Sequence, residues 1–160
     1  MAVCVRRVRP DDGPLLRRVR LAALADTPSA FAKTFDEESA YPDDQWASTA
    51  ESRSVGDEAV TFFAEVDDEV RGLVGGHRLN DAELVSMWVD PQARGTGVAE
   101  ALVAAVIEWA DGPVELWVTR GNDRAIAFYR RMGFVETDDV QPLPSDPCKN
   151  EVRMRRVGEG

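Results

Sequence analysis

A nearly uninterrupted apolar strand, joined by a glycine-bearing turn to a long apolar helix, is the feature that most constrains how this chain can fold. The strand reads ELVSMWV, residues 83–89, and such a run is expected of a strand buried on both faces of a sheet. The segment DPQARGTG separates it from a helix that begins at Val98, and a second strand over Val114–Thr119 follows the helix. The sequence therefore predicts a central strand–helix–strand unit.

The segments around this unit have the pattern of antiparallel strands. AVTFFAEV and EVRGLVGGHRL flank the acidic pair Asp67 and Asp68, a spacing typical of a hairpin. After the unit, a helix over 122–132 ends at a glycine, and two further strands start at Phe134 and cover 151–157. The central unit is therefore expected to lie within a mostly antiparallel surround.

The first part of the chain adds a strand and two helices. A strand over 3–8 precedes a helix that Asp11 or Asp12 caps and that ends near Asp26, and a second, short helix carries Trp46. One strand–helix–strand unit among hairpin strands indicates an α+β fold rather than a doubly wound parallel sheet.

Length, charge and cysteine count narrow the class of protein. With 160 residues, 44% of them apolar and 30% charged, residues 1–160 fit a single folded domain. No signal-peptide core and no apolar stretch near ~18 residues appears, so we expect a cytoplasmic protein without membrane contact. The net charge of −10 argues against nucleic acid as a partner. Cys4 and Cys148 have no CxxC spacing, which predicts neither a metal site nor a disulfide.

The glycine turn has the chemistry of an anion site. Helices leave about four backbone amides unpaired at their first turn, and only Thr96 offers an obvious side-chain cap here. These amides and the positive helix dipole attract anions, and Gly95 and Gly97 lack the Cβ that would hold phosphate oxygens away. The turn therefore predicts a pyrophosphate site, although a turn that merely connects strand to helix would look similar. A P-loop pattern is absent, and Glu100 occupies the third slot of a dinucleotide fingerprint.

Two motifs resemble those of one enzyme family. RGTGVA, residues 94–99, resembles the RxxGxG/A motif of the GNAT superfamily of acyl-CoA-dependent N-acetyltransferases, and NDRAIAFYRRMGF, residues 122–134, resembles its second motif. The order of elements along the whole chain also matches. The resemblance implies an α+β fold in three α/β layers. The implied fold has a mixed, mostly antiparallel central sheet of about seven strands, helices on both faces and a splayed central strand pair.

The resemblance also implies acetyl-CoA as co-substrate, with no metal. The cofactor arm would lie where the strand over 83–89 parts from Val114–Thr119, and a freed backbone amide there would polarise the thioester carbonyl. The cofactor-binding residues that the resemblance implies are Met87, Trp88, Val89, Arg94, Gly95, Thr96, Gly97, Val98, Ala99, Asn122, Ala125 and Phe128.

Helical spacing gives the second motif a physical interpretation. Asn122, Ala125 and Tyr129 share one helix face, which could accompany a narrow chain such as the cofactor arm. Asn122 could equally cap the helix, and Tyr129 could be plain core. This segment also carries a net positive charge within a chain whose net charge is negative. That charge fits an anionic cofactor, although each arginine could be merely solvated. The arginines are Arg120, Arg124, Arg130 and Arg131.

By the same resemblance, an amine attacks the thioester directly in a ternary complex. Tyr129 matches the tyrosine that protonates the departing thiolate, and Glu83 matches a glutamate base of some members. The base could instead be another acid or a water, with Glu83 an exposed strand-end residue. His77, the only histidine, is expected to have an ordinary surface or edge role.

The acceptor and the assembly stay open at this level. A small-molecule or peptide amine is expected as the acceptor. The resemblance implies Phe31, Phe35 and Trp46 as substrate-binding residues, because they fall in the region that varies with substrate in this family. Nearby acids would suit a cationic amine, but a solvated face explains them equally well. The acyl group could be acetyl or longer, and a homodimer is common in the family without support from any residue here. The alternative function is a non-catalytic acyl-CoA-binding sensor or interaction module.

Overall fold

A seven-stranded sheet runs through the molecule in the computed structural model, which describes residues 2–28, 31–144 and 146–158. Its strands are β1 (Val3–Arg7), β2 (Ala59–Val66), β3 (Glu69–Arg78), β4 (Ala82–Val89), β5 (Val114–Thr119), β6 (Val135–Leu143) and β7 (Asp146–Arg156). They lie in the spatial order β1-β2-β3-β4-β5-β7-β6. The predicted α+β class and the mixed sheet are therefore confirmed.

Five α-helices and the 3-10 turn after β4 accompany the sheet within the described residues. They are α1 (Gly13–Asp26), α2 (Phe35–Ser39), α3 (Asp43–Arg53), the 3-10 turn (Pro91–Ala93), α4 (Val98–Ala110) and α5 (Asp123–Arg131). In the part of the chain that the structure describes, none of them has the length and hydrophobicity that crossing a bilayer requires.

The only parallel pairing in this sheet, between β4 and β5, is also its shortest. It consists of Ala82 opposite Val114 and Glu83 opposite Glu115, whereas β5 and β7 remain paired from Val114 to Thr119. Beyond Glu83 the two central strands part, so the backbone of β4 faces a gap where a neighbouring strand would be. The splayed central pair that the resemblance implied is thus present.

Helices cover both faces of the sheet and define two apolar clusters. On one face, α1 and α3 pack over Phe63 and Leu73. On the other, α4 and α5 pack over residues of β2 to β5 and β7. The close approach of α4 depends on Gly72 of β3, because a Cβ there would lie 2.9 Å from the carbonyl oxygen of Trp88 and 3.1 Å from Val98 Cγ1.

A β-bulge interrupts β4 just where the strand leaves β5. From Leu73 to Gly75, β3 advances two residues while β4 advances three, from Trp88 to Val85, and Ser86 adopts a positive φ of 59°. One extra residue reverses the alternation of side chains between the two faces. Leu84 consequently packs with α4, whereas Trp88 packs with α1 on the opposite face.

Two local predictions meet different outcomes. The hairpin is confirmed, because Asp67 and Asp68 join β2 to β3 with φ of 52° and 66°, the left-handed pair of a type I′ turn. The aspartate cap of α1 is wrong: Asp12 occupies the N-cap position without a capping hydrogen bond. Its carboxylate instead accepts hydrogen bonds from the Arg9 backbone N–H and the Arg6 guanidinium, both at 2.8 Å.

The sequence analysis missed α2, although a signal for it exists. Thr34 is the N-cap, and its Oγ1 accepts a hydrogen bond from the backbone N–H of Glu37 at 3.1 Å. A threonine followed three residues later by a glutamate is the capping-box pattern.

Gly72→Ala should destabilise the protein, because the three nearest atoms are the backbone oxygen of Trp88 and side-chain carbons of Val98 and Leu102 on α4, and the strand and the packed helix cannot both move away. We expect the free energy of unfolding to fall by about 1–3 kcal/mol, measured by urea denaturation. Gly112→Ala is the matched control, since its Cβ would have 3.9 Å to the nearest atom. Equal effects of the two substitutions would contradict the close packing of α4 on β3.

Candidate active site

The gap between β4 and β5 opens into a cleft of about 660 Å³. Four segments form most of its wall: the end of β4, the turn before α4, the end of β5 and one side of α5. The lining residues from these segments are Leu84, Val85, Ser86, Met87, Trp88, Val89, Arg94, Gly95, Ala99, Glu100, Trp117, Val118, Thr119, Asn122, Arg124, Ala125, Ala127, Phe128, Tyr129 and Arg131.

Nine of the twelve residues predicted to bind cofactor line this cleft. They are Met87, Trp88, Val89, Arg94, Gly95, Ala99, Asn122, Ala125 and Phe128. The other three lie beside it. Thr96 donates its hydroxyl hydrogen to the Ala93 carbonyl, Gly97 is the N-cap of α4 and Val98 is buried in the core. Their predicted contacts with a cofactor stay predictions.

The turn at one end of the cleft presents unpaired amides. Gly95 and Gly97 have φ of 79° and 90°, a left-handed conformation that favours glycine, and a Cβ at either would meet no atom within 4 Å. No side chain caps α4, and its first helical hydrogen bond runs from Ala101 N–H to the Gly97 carbonyl at 3.1 Å. The backbone N–H groups of residues 98–100 therefore have no partner within the helix and can bind an anion.

Asp26, which the sequence analysis assigned only to a helix end, holds this corner together. Its carboxylate contacts Arg94 Nη2 at 2.6 Å and Trp88 Nε1 at 3.0 Å. The hydrogen bond from Trp88 is the main reason that the pKa of Asp26 is lowered, with Thr27 and Arg94 contributing. Arg94 also donates to the Val89 carbonyl at 3.1 Å. The side chain of this predicted cofactor-binding residue is therefore anchored to both α1 and β4.

The four arginines of the second motif divide into two groups. Arg124 and Arg131 line the cleft, and the Arg131 guanidinium lies 5.7 Å from the centre of the Phe128 ring. Arg130 forms an ion pair with Glu136 instead, and Arg120 does not line the cleft. Of the four arginines, Arg124 and Arg131 therefore place positive charge at the cleft wall.

Tyr129 lies on the buried side of α5, with 8% of its surface exposed, and lines the cleft. Its ring packs edge-on against Phe128 and Phe134, with ring centres 5.2 and 5.8 Å away. Burial raises its pKa to about 12, so the phenol is a neutral hydrogen-bond donor at neutral pH. Asn122 both lines the cleft and caps α5, because its Oδ1 accepts the Ala125 N–H at 3.2 Å.

Glu83 and His77 form a pair on the two neighbouring strands. They are directly opposite in the register of β3 and β4, with His77 Nε2 2.8 Å from Glu83 Oε2. Neither residue lines the cleft, but His77 lines a second cavity of about 280 Å³. β3 lies between β2 and β4, so His77 is not on an edge strand, and its contact with Glu83 gives it a specific partner that the sequence analysis did not foresee.

The second cavity meets the cleft at the bulge, because Val85 and Ser86 line both. Of the three aromatic residues predicted to bind substrate, Trp46 lines this cavity. Phe31 is buried, with the Arg20 guanidinium 4.6 Å from its ring centre, and Phe35 is 41% exposed. Neither lines a cavity described here, so their contact with substrate stays a prediction.

Sequence reasoning also missed several residues of the cleft. Glu151 of β7 is buried and accepts a hydrogen bond from Gln141 Nε2 at 2.6 Å, and Thr27, Trp117 and Leu143 complete the wall. No motif marks these residues. Trp117, Leu143 and Glu151 reach the cleft through strand order, and Thr27 through the position of the end of α1. Over the described ranges, no three His, Cys, Asp or Glu side chains group as metal ligands would.

Relatives and solved structures agree on the kind of protein. A mycothiol acetyltransferase of Propionibacterium freudenreichii subsp. shermanii is 29% identical over 153 residues, which is 92% of this chain and 48% of that protein. The chain spans about half the length, or less, of the curated relatives it matches.

Two solved structures superpose on nearly the whole chain. A GNAT-family acetyltransferase from Streptococcus pneumoniae has a TM-score of 0.78 at 16% identity, covering 98% of this chain and 100% of that one. The PaiA N-acetyltransferase from Thermoplasma acidophilum, solved with coenzyme A, has a TM-score of 0.74 at 15% identity, covering 99% and 100%. At these identities the likeness establishes the fold.

The sequence profile of the Acetyltransferase (GNAT) family matches residues 21–134. This span runs from α1 through the glycine turn and the second motif to Phe134, which is most of the chain and most of the cleft wall. The chain belongs to the acetyltransferase (GNAT) family.

Proposed function

We propose that this chain transfers an acetyl group from acetyl-CoA to a primary amine by direct attack in a ternary complex. The observation that carries the proposal is the cleft between β4 and β5, with unpaired amides at the glycine turn and a buried phenol on α5. The coenzyme A held by a GNAT structure of the same fold supports this choice of cofactor. A peptide amine is an alternative acceptor to a small molecule.

The cleft has the parts that a diphosphate and a narrow arm require. The N–H groups of residues 98–100 would bind the pyrophosphate, and Arg124 and Arg131 would add charge-assisted contacts. The pantetheine arm would take the place of a strand beside β4, where pairing with β5 has ended after Glu83. A backbone N–H of β4 near the bulge would then donate to the thioester carbonyl oxygen.

The proposed proton path uses one residue of β4, Glu83, and one residue of α5, Tyr129. An alkyl amine has a pKa near ~10.4 and must lose a proton before it attacks. We assign that proton to Glu83, directly or through a water, with His77 as the hydrogen-bonded neighbour that borders the second cavity. As the new C–N bond forms and the C–S bond breaks, Tyr129 donates its proton to the thiolate. The dry surroundings that raise the pKa of Tyr129 would raise that of the thiol as well.

Tyr129→Phe should lower kcat by about 10²-fold or more, because general-acid catalysis contributes ~10²–10⁴. The KM for acetyl-CoA should change little, since the ring packing is retained. Release of free CoA from acetyl-CoA with a broad panel of amines measures this. If acetyl-CoA binds, no amine supports turnover and the substitution changes nothing, the chain is a non-catalytic acyl-CoA-binding module.

Glu83→Gln should reduce kcat/KM for the amine about tenfold or more at pH 7 through loss of the proton acceptor. Glu108→Gln is the matched control, because Glu108 is exposed on α4 and lines neither cavity. A rate for Glu83→Gln equal to that of the control would transfer the role of base to a water or another acid.

Arg124→Gln should weaken acetyl-CoA binding about three- to tenfold, since a charge-assisted contact to phosphate is lost. Arg120→Gln removes the same charge from the same segment outside the cleft and should change the Kd less than twofold. Titration calorimetry at two salt concentrations measures both. Equal losses would mean that the overall charge of the segment, rather than the cleft, attracts the cofactor.

A further inference from the structure

The second cavity is basic, although the protein as a whole is acidic. Three cationic side chains line it, Arg20, Lys33 and Arg53, against a single carboxylate, Glu38. We infer that the amine acceptor is a free amino acid, whose carboxylate binds Arg53 and Lys33 while its amine faces the bulge. The inference rests on the proposed acetyl transfer and names the acceptor class for it.

The single carboxylate is not available to a cationic substrate. Glu38 is 5% exposed, and its two oxygens accept hydrogen bonds from Arg20 Nε and Nη2, both at 2.9 Å. Such a bidentate, buried pair satisfies both partners. The other acids of α2, Asp36 and Glu37, are exposed and do not line the cavity. The acidic segment that could have suited a cationic amine therefore offers it no unpaired carboxylate in this cavity.

The two remaining cations have little to neutralise them. Among the described residues, the one carboxylate within ion-pair distance of Lys33 is that of Glu37 at 4.0 Å. Both side chains are more than half exposed, and such pairs are weak. Within residues 2–28, 31–144 and 146–158, no carboxylate lies within ion-pair distance of the Arg53 guanidinium. Arginine is also the side chain best suited to bidentate recognition of a carboxylate.

The α3 helix presents this charge to the cavity from a fixed position. Trp46, Thr49 and Arg53 follow helical spacing and all line the cavity. The end of the helix is held because the Arg53 carbonyl accepts a hydrogen bond from Arg7 Nε at 2.9 Å. A carboxylate binding here would therefore meet a guanidinium at the last turn of an ordered helix.

Another part of the cavity wall adjoins the site proposed for the reaction. Val85 and Ser86 line both this cavity and the cleft, and His77, hydrogen-bonded to Glu83, also lines the cavity. A molecule that carries both an amine and a carboxylate can contact this shared wall and the two cations. At about 280 Å³ the cavity is near the lower limit of ligand pockets, ~300 Å³. A polyamine would bring further positive charge towards Lys33 and Arg53.

The experiment compares acceptors that differ only in the carboxylate. Leucine, leucinamide and 3-methylbutylamine, and the corresponding phenylalanine series, are assayed by CoA release at equal concentrations of unprotonated amine. In whichever of the two series has the higher kcat/KM, we expect the value for the amino acid to exceed those for its amide and its decarboxylated amine at least tenfold. An amide or decarboxylated amine that reacts as well as the acid would overturn the inference, as would acetylation confined to peptides.

Variants of the cavity locate the effect. Arg53→Met should raise the KM for the amino acid about tenfold with kcat nearly unchanged, and should leave the amide unaffected. Arg17→Met is the control, since Arg17 is an exposed arginine of α1 outside both cavities. Lys33→Met, at an exposed site, gives a second test if Arg53→Met fails to fold, with a similar but smaller rise in KM expected. Equal losses for acid and amide would overturn the inference.

The two proposals fail in different ways. Turnover of amines that lack a carboxylate, with no preference for amino acids, would overturn the acceptor class and leave acetyl transfer standing. Binding of acetyl-CoA without turnover of any amine would overturn acetyl transfer itself, and the acceptor class with it.

Discussion

The early end of pairing between β4 and β5 is the constraint on which the rest of the structure depends. Only Ala82 and Glu83 of β4 pair with β5. The bulge at Ser86 then reverses the alternation of side chains, so that Leu84 and Trp88 pack on opposite faces of the sheet. A sheet normally satisfies its backbone within itself. Here the unsatisfied side of β4 forms a cleft wall, and the same bulge brings Val85 and Ser86 to the second cavity.

Close packing keeps this opening in place. Gly72 lets α4 approach β3, which positions the glycine turn beside the end of β4. On the opposite face, Trp88 is directed to α1 because of the reversed alternation, and there it reaches Asp26. The two apolar clusters thus hold the cleft from both sides of the sheet. The unpaired amides at the start of α4 and the buried phenol of α5 are consequently presented by helices of 13 and 9 residues rather than by loops.

Much of the fold could be predicted from the sequence, because its signals are local. The apolar run of β4, the Asp67–Asp68 hairpin and the two motifs each depend on neighbouring residues, and all of them lie where expected. The contact of Asp26 with Arg94 joins residues 68 positions apart, and the pairing of Glu38 with Arg20 depends on how two helices pack. No periodicity reveals such contacts. The one sign of the bulge in the sequence is Ser86, a polar residue inside the apolar run of β4.

The contacts of Asp26 with Arg94 and Trp88 connect the walls of the two cavities. One carboxylate ends α1, which also forms part of the second cavity through Leu16 and Arg20, and it restrains Arg94 at the turn that faces the cleft. A phosphate that draws Arg94 away from Asp26 must offset the loss of that ion pair and alters the restraint on the end of α1. If binding of the cofactor in the cleft changes the affinity of the second cavity for the acceptor through this carboxylate, thermodynamic linkage requires the reverse as well. Binding of the acceptor then changes the affinity for the cofactor by the same factor.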